Sequence, residues 1–177
     1  MFQRGLELLE QQLQKEMDKH STEYKGVVDH GGGYYLYQTV SCRPQNVENE
    51  MKRMFPEISI FMEENSIEAS GKPFTLNHKL DSLNNSLLFS ACFPIKERIE
   101  TEGKVLTGYL HPQKTFKTIY KGNYKYLAEL WPKIHEKLRQ DGHKELEKGY
   151  SFEVYTISPQ QSENPAEWLT EIYIPIE

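Results

Sequence analysis

Hydrophobic residues at the start of the chain recur with the period of an α-helix. The apolar positions of this stripe are Phe2, Leu6, Leu9, Leu13 and Met17. Their steps of three and four place them on one side of a helix, so the pattern predicts a helix over residues 2–17. The stripe is expected to pack on the rest of the domain or on a partner. A short dimerising coiled coil is the more specific alternative.

Two further helical patterns follow, each with a proline inside it. The first begins after Asn46, a candidate N-cap, and the second begins near Leu127. Pro56 and Pro132 are expected to kink or restart these helices. Between and around them, β-forming residues predict extended segments. These segments cover residues 34–42, 73–78, 86–95, 104–110, 115–120, 150–158 and 168–176.

An internal repeat relates the two halves of the chain. Residues 51–58 match residues 127–134 in the order apolar, aromatic, Pro, Ile. Two strand motifs match later in the same order. These are Pro73-Phe74 with Ser151-Phe152, and Phe93-Pro94-Ile95 with Ile174-Pro175-Ile176. The offset grows from 76 to 78 to 81 residues, as loop insertions would produce. Each half therefore reads as strand, helix, strand, strand.

The repeat predicts an α+β fold made of tandem β-α-β-β units with pseudo-twofold symmetry. We expect one antiparallel sheet with both helices on one face, and a ligand cleft on the other face or between the halves. The first repeat is placed at about 31–96 and the second at about 103–177. Residues 1–30 are expected to form the amphipathic helix and a linker.

Composition narrows the class of protein. The 177 residues carry 26 acidic and 21 basic side chains, a net charge of −5, which argues against direct contact with nucleic acid. No apolar run is long enough to span a membrane, and no signal peptide is recognisable, so a cytoplasmic protein is expected. Cys42 and Cys92 favour two reduced thiols over a disulfide. No metal-binding motif occurs, and no metal or cofactor is expected.

One acidic residue departs from the pattern of the last strand. Ile172, Ile174 and Ile176 share one face, whereas Glu171 and Tyr173 share the other. The repeat places Ser90 at the position equivalent to Glu171, so the symmetry is broken at an ionisable residue. A solvated side chain on an open sheet face would explain Glu171 as well. A carboxylate among aromatic rings would instead suit a lipophilic cation.

Several motifs in the second half resemble a known family. They are Lys121-Gly122-Asn123-Tyr124, Phe152-Glu153-Val154-Tyr155 and Leu169-Thr170-Glu171-Ile172-Tyr173-Ile174-Pro175-Ile176. This part of the chain resembles the GyrI-like small-molecule-binding domain, the effector-binding module of AraC- and MerR-type transcription activators. The likeness runs from about Gly33 to Glu177. It implies tandem SHS2-like units around a cleft for small, often lipophilic and cationic molecules, with Glu171 as the carboxylate that reads the cation. Trp131 and Phe152 are expected in the core.

The resulting hypothesis is a bacterial domain that binds or senses a small organic molecule without a DNA-binding region of its own. The candidate ligand-binding residues are Glu171, Tyr173, Tyr155, Tyr124, Tyr109, Trp168 and Ser90. An alternative is a hydrolase of reactive or toxic small molecules that uses Glu171 with one of these tyrosines. A third hypothesis is a protein-interaction role, such as inhibition of a topoisomerase by mimicking DNA. A net charge of −5 is too small to support it. The helix over residues 2–17 could join a homodimer or an N-terminal partner domain.

Overall fold

The computed structural model describes residues 2–177 and contains three α-helices and eight β-strands. The elements are α1 (Phe2–Met17), β1 (Ser21–His30), β2 (Gly33–Cys42), α2 (Val47–Glu64), β3 (Phe74–Asp81), β4 (Ser86–Ile95), β5 (Leu106–Leu110), β6 (Gln113–Lys121), α3 (Leu127–Gln140), β7 (Ser151–Ile157) and β8 (Leu169–Pro175). The eight strands form one antiparallel sheet. The α+β fold class predicted from the repeat is confirmed.

All three predicted helices are present, but the two prolines do not restart them. α2 continues through Pro56, and α3 continues through Pro132. Both prolines lie on the exposed side of their helix, where water can bond the carbonyl group that a proline leaves without a donor. The helical pattern therefore persists on the apolar side, which packs on the sheet.

The segment predicted as a linker is a strand. β1 pairs antiparallel with β6 over its whole length. Its sequence contains Tyr24, Val27 and Val28, which favour strands, but the register shifts at Gly26, whose φ is +78°. This bulge breaks the alternation of side chains that would reveal the strand in the sequence.

The strand order is β1-β6-β8-β7-β3-β4-β2-β5. β1 of the first half lies on the second half, and β5 of the second half lies on the first. If the halves are exchanged, the order reads the same from the opposite edge, so a pseudo-twofold axis passes between β3 and β7. The pairing register agrees with the repeat, because Phe74 opposes Cys92 as Phe152 opposes Tyr173.

The sheet must curl strongly, because strands that are adjacent in sequence lie far apart in it. Five strands separate β1 from β2, yet only Gly31 and Gly32 connect them. The same holds for β5 and β6, which His111 and Pro112 connect. The two connections touch where they cross. Gly32 has a φ of +64°, and a Cβ atom there would lie 2.0 Å from the carbonyl oxygen of Leu110.

Three apolar clusters fill the fold. α2 covers one with Met54, Ile58 and Met62 against β2 and β4, and α3 covers another with Leu130, Ile134 and Leu138 against β6 and β8. The third cluster lies on the sheet face that the helices leave free. Its buried members are Phe74, Leu76, Cys92, Phe152 and Tyr173. This face was expected to carry the ligand cleft, but the curled sheet packs it with its own side chains. The core position of Phe152 is confirmed.

The structure of residues 2–177 also bears on the expectations about α1, the two cysteines and membrane-spanning helices. The apolar stripe of α1 does not pack on the domain, since no residue of this helix is buried. Cys42 and Cys92 are free thiols. None of the helices is long and apolar enough to cross a membrane within this range.

Candidate functional site

The two central strands, β3 and β7, lie between the part of the sheet that α2 covers and the part that α3 covers. We call the space above them, between the two helices, the groove. Its floor consists of the helix-facing side chains where β3 and β7 pair, and these are polar. They are Thr75, Asn77, Ser151, Glu153 and Tyr155. On either side, the same face of the sheet carries an apolar cluster that a helix covers. A polar floor between two apolar clusters costs stability unless its groups are satisfied or used in binding.

Glu153 is the acidic group of this floor. Trp131 donates its ring N–H to one carboxylate oxygen at 2.9 Å, and the Tyr155 hydroxyl donates to the other at 2.9 Å. Within residues 2–177, no Lys or Arg forms an ion pair with Glu153. Burial raises the pKa of Glu153 above its usual value, and the two hydrogen bonds offset this only in part.

The hydroxyl of Tyr155 joins the two halves of the floor. It lies 2.9 Å from the Thr75 hydroxyl on β3 and 2.9 Å from Glu153. Burial, together with the Glu153 charge, raises the pKa of Tyr155 well above its usual value. The phenol therefore stays protonated and donates to Glu153, so the hydrogen bond from Thr75 must run toward Tyr155.

Two aromatic residues related by the repeat form the walls of the groove. Phe55 stands on α2 and Trp131 at the equivalent position of α3. The Phe55 ring is 6.2 Å from that of Tyr155 and nearly perpendicular to it, while Trp131 bonds Glu153. Both walls are partly exposed. Trp131, expected in the core, packs against the cluster under α3 and also lines the groove.

Tyr124 and Trp168 close one end of the groove. Their rings lie 4.7 Å apart, and Tyr124 is 5.8 Å from the ring of Tyr155. Tyr124 begins a short 3₁₀ turn, Tyr124–Tyr126, before α3, and Trp168 follows a second such turn, Pro165–Glu167. Burial raises the pKa of Tyr124, and the nearby charge of Glu153 raises it further.

The structure divides the candidate residues from the sequence between two faces of the sheet. Tyr124, Tyr155 and Trp168 come together around the groove. Glu171 does not join them, because its cross-strand partner is Val154, whereas Tyr155 opposes Thr170. Successive side chains of a strand point to opposite faces, so Glu171 and Tyr155 cannot line one pocket. The structure therefore does not bring these two candidate residues together.

The carboxylate of Glu171 is already satisfied on the opposite face. Lys117 Nζ lies 3.0 Å from one oxygen, and the Tyr173 hydroxyl donates to the other at 2.7 Å. Burial disfavours its charge, but the hydrogen bonds from Tyr173 and Lys117 prevail and lower the pKa of Glu171. A carboxylate held in this way has no need of a ligand cation.

Ser90 and Tyr109 also lie outside the groove. Ser90 is fully buried, and its hydroxyl contacts Thr39 Oγ1 and His78 Nε2 at 2.6 Å each. Tyr109 stands on the edge strand β5, where its ring packs 4.8 Å from that of Tyr34. The fully buried Ser90 has a structural role, while Tyr109 faces the crossing of the strand connections.

Sequence reasoning missed Glu153, Thr75 and the two walls. The sequence did contain an indication of Glu153, since it is two residues from the candidate Tyr155 and therefore lies on the same face of the strand. The repeat places Thr75 at the position equivalent to Glu153, so the symmetry is broken here in the same way as at Ser90 and Glu171. What the sequence alone did not reveal is which of the two breaks lies on the helix side of the sheet, between α2 and α3.

Two open cavities, of about 270 and 380 Å³, lie elsewhere, around His30 at the crossing of the connections. We take the groove as the candidate site because it combines a partly buried carboxylate with aromatic walls, which the cavities do not. No group of His, Cys, Asp or Glu side chains in residues 2–177 is arranged to hold a metal ion.

The family of the chain is decided by its sequence from β2 to the end of the domain. Residues 37–176 match the model of the integron-associated effector-binding protein, Cass2. The chain belongs to this family. Its members are effector-binding domains, and the GyrI-like resemblance seen in the sequence is confirmed. No curated protein matches the chain.

Solved structures show the same fold at low sequence identity. The C-terminal domain of EcmrR is 16% identical to this chain, with a TM-score of 0.77. The match covers 89% of this chain and 98% of the EcmrR domain. EcmrR in its complex with DNA gives a TM-score of 0.76, with 97% of this chain matched to 63% of the longer one at 16% identity. SAV2435 bound to tetraphenylphosphonium is 12% identical, with a TM-score of 0.64 and coverage of 88% and 94%.

Proposed function

We propose that this effector-binding domain takes a small lipophilic cation into the groove between α2 and α3, with Glu153 as the counter-ion. The observation that carries the proposal is the carboxylate of Glu153, which is held by Trp131 and Tyr155 but by no basic side chain of residues 2–177. A ligand cation would supply the missing charge.

The energetics favour this class of ligand over neutral or anionic ones. A partly buried carboxylate without a cation is unfavourable, and the raised pKa of Glu153 expresses that cost. A bound cation would reduce the cost. The faces of Trp131 and Tyr155 would add cation–π attraction, which is strongest at Trp and grows when water is excluded. An anion would meet repulsion from the same carboxylate.

One solved structure of the same fold supports the ligand class. SAV2435, which shares the fold, was solved with tetraphenylphosphonium, a lipophilic cation. The aromatic walls and end of the groove, formed by Phe55, Trp131, Tyr124 and Trp168, offer apolar surface to such a molecule. We therefore choose tetraphenylphosphonium as the first probe.

Calorimetry with two probes of the same shape tests the proposal. Tetraphenylphosphonium and tetraphenylborate differ in the sign of their charge, so we expect the cation to bind and the anion to bind far more weakly. Glu153→Gln should weaken cation binding by about tenfold or more. Glu171→Gln is the matched control, since its carboxylate lies on the other face, and it should leave the affinity unchanged. Equal binding of both probes would overturn the proposal, as would equal losses in both variants.

A hydrolase is the second candidate, and one contact favours it. The Tyr155 hydroxyl donates to Glu153 at 2.9 Å in the partly buried groove, so a carboxylate and a phenol are in place for general base and general acid roles. Glu153 would take a proton from the water that attacks the ester carbonyl, Tyr155 would donate one to the leaving phenoxide as the C–O bond breaks, and the proton on Glu153 would return to Tyr155 along their hydrogen bond. Release of 4-nitrophenol from an aryl ester, lost in Glu153→Gln, would support turnover. Tight cation binding without product would favour the binding module.

A further inference from the structure

The C-terminal end of α1 is attached to the domain beside one end of the groove. Asp18, directly after the helix, accepts a hydrogen bond from Lys125 Nζ at 2.6 Å. The His20 ring stacks on that of Tyr126 with 4.3 Å between centroids. α1 also contacts the turn Pro165–Glu167. The segment that follows α1 thus rests on the 3₁₀ turn before α3 through Asp18 and His20, and α1 itself contacts the turn before β8.

These same turns carry the aromatic residues at the end of the groove. Tyr124 is the first residue of the turn Tyr124–Tyr126, and Trp168 follows the turn Pro165–Glu167. The backbone N–H of Gly122 donates to the carbonyl oxygen of Trp168 at 2.9 Å, which ties the two segments together. Each segment therefore has one side on α1 or on the residues that directly follow it, and another side on the groove.

The turn before α3 is held as a unit. Asn123 accepts the N–H of Lys125 with its side chain at 3.0 Å, and the Tyr120 hydroxyl donates to its carbonyl oxygen at 2.9 Å. Its three consecutive side chains then divide by direction, with Tyr124 toward Tyr155 and with Lys125 and Tyr126 toward the end of α1. A short capped turn of this kind cannot move Tyr124 without moving its neighbours.

We infer that the attachment of the C-terminal end of α1 to these two turns, through Asp18 and His20, is coupled to occupancy of the groove, with the attached end holding Tyr124 and Trp168 in the position that a ligand contacts. The inference rests on the proposed function, because it assigns a regulatory input to the same site. Coupling between two sites is reciprocal, so a ligand that needs the closed end of the groove also stabilises this attachment. The coupling is expected to be positive, so that attachment raises ligand affinity. If the end of the groove loosened, Tyr124 and Trp168 would lose their contacts with the ligand.

The contacts set the size of the coupling. The Lys125–Asp18 pair is partly solvated, with 47% and 31% of the side chains exposed. Exposed ion pairs contribute little, so loss of the pair should change ligand affinity by about twofold to fivefold rather than abolish binding.

Substitutions at the attachment test the coupling in the full chain. Lys125→Met and Asp18→Asn should each weaken tetraphenylphosphonium binding by about twofold to fivefold, and the double variant should lose no more than either one, because both remove the same contact. Lys52→Met is the matched control, since it breaks a comparable exposed pair with Glu48 on α2. Unchanged or tighter binding in both attachment variants would overturn the inference.

Two readouts separate this inference from the ligand assignment. Without any probe, acrylamide quenching of Trp168, measured in a Trp131→Phe background that leaves it as the sole tryptophan, should increase when Lys125→Met is added. With the probe, amide exchange around residues 14–20 should slow in the unsubstituted protein. If the protein does not bind the probe, the ligand assignment fails and the quenching result alone decides the coupling. Unchanged quenching then rejects the coupling, and increased quenching supports it.

Discussion

Glu153 and Glu171 lie on adjacent strands but project from opposite faces of the sheet. Val154, the neighbour of Glu153, is the cross-strand partner of Glu171. Glu171 is bonded by Lys117 and Tyr173, whereas Glu153 is bonded by Trp131 and Tyr155 and pairs with no basic side chain in residues 2–177. Their pKa values consequently shift in opposite directions, lowered at Glu171 and raised at Glu153.

Neutralising each carboxylate should therefore change stability differently. Glu171→Gln removes a half-buried ion pair and leaves Lys117 without its partner, so we expect the free energy of unfolding at neutral pH to fall by about 1–2 kcal/mol. Glu153→Gln removes a charge that folding disfavours, at the cost of one hydrogen bond. It should leave stability within about 0.5 kcal/mol of the parent or raise it. Urea unfolding monitored by circular dichroism measures both.

The pH dependence of that difference has a defined sign. A carboxylate whose pKa is lowered on folding contributes stability that is present above the unfolded value, near 4.5, and is lost as the pH falls through the folded value. The gap between the parent protein and Glu171→Gln should therefore close in acid. A gap that persists at low pH would show that the ion pair is not its source.

Cation binding should depend on pH through Glu153. Because burial raises its pKa, this carboxyl takes up a proton above the ordinary value of 4.5, and only the carboxylate form attracts a cation. Affinity for tetraphenylphosphonium should be constant at high pH and fall by about tenfold per pH unit once the pH drops below the pKa of the free protein. Calorimetry across a pH series measures the midpoint. Glu153→Gln should give a flat profile, and a midpoint at or below 4.5 in the parent would contradict the assignment.

The fold was predictable from the sequence because it depends on short-range patterns that occur twice. The helical stripes and the matched motifs around Phe55 and Trp131 fix the order of elements in each half, and that order fits few sheets. β1 was missed because a bulge at Gly26 interrupts its pattern. The exchange of β1 and β5 between the halves was missed as well, because the sequence of neither strand indicates the strand with which it pairs.

The site was harder to predict because it depends on which face of the sheet stays accessible. Alternation correctly separated Glu171 from the isoleucines of β8. It could not show that the curled sheet would pack Tyr173 and Phe152 against each other on the Glu171 face, with rings 4.8 Å apart. That packing depends on two connections of two residues each, which pull distant strands together. As a result Glu153, on the helix side of the sheet, is the carboxylate that lies in the groove.

The close approach of the β1–β2 and β5–β6 connections predicts different effects for substitutions at two adjacent glycines. Gly32→Ala would place a side chain at φ +64° and 2.0 Å from a backbone oxygen, so one of the two connections must shift. We expect a loss of about 2–4 kcal/mol in the free energy of unfolding. Gly31→Ala is the matched control, because a Cβ there meets nothing within 4 Å, and it should change stability by about 0.5 kcal/mol or less. Similar losses in both variants would mean that the crossing is not close.

The two walls of the groove should contribute to binding in separable ways. Trp131→Phe keeps an aromatic ring but removes the N–H that bonds Glu153, one of the interactions that lower its pKa. Affinity for tetraphenylphosphonium should fall about threefold to tenfold, and the midpoint of the pH profile should move upward. Phe55→Leu removes the opposite wall without touching Glu153, so affinity should fall while the midpoint stays in place. If the midpoint does not move in Trp131→Phe, the indole N–H does not tune the carboxylate, and the two walls differ only in the surface that they offer the ligand.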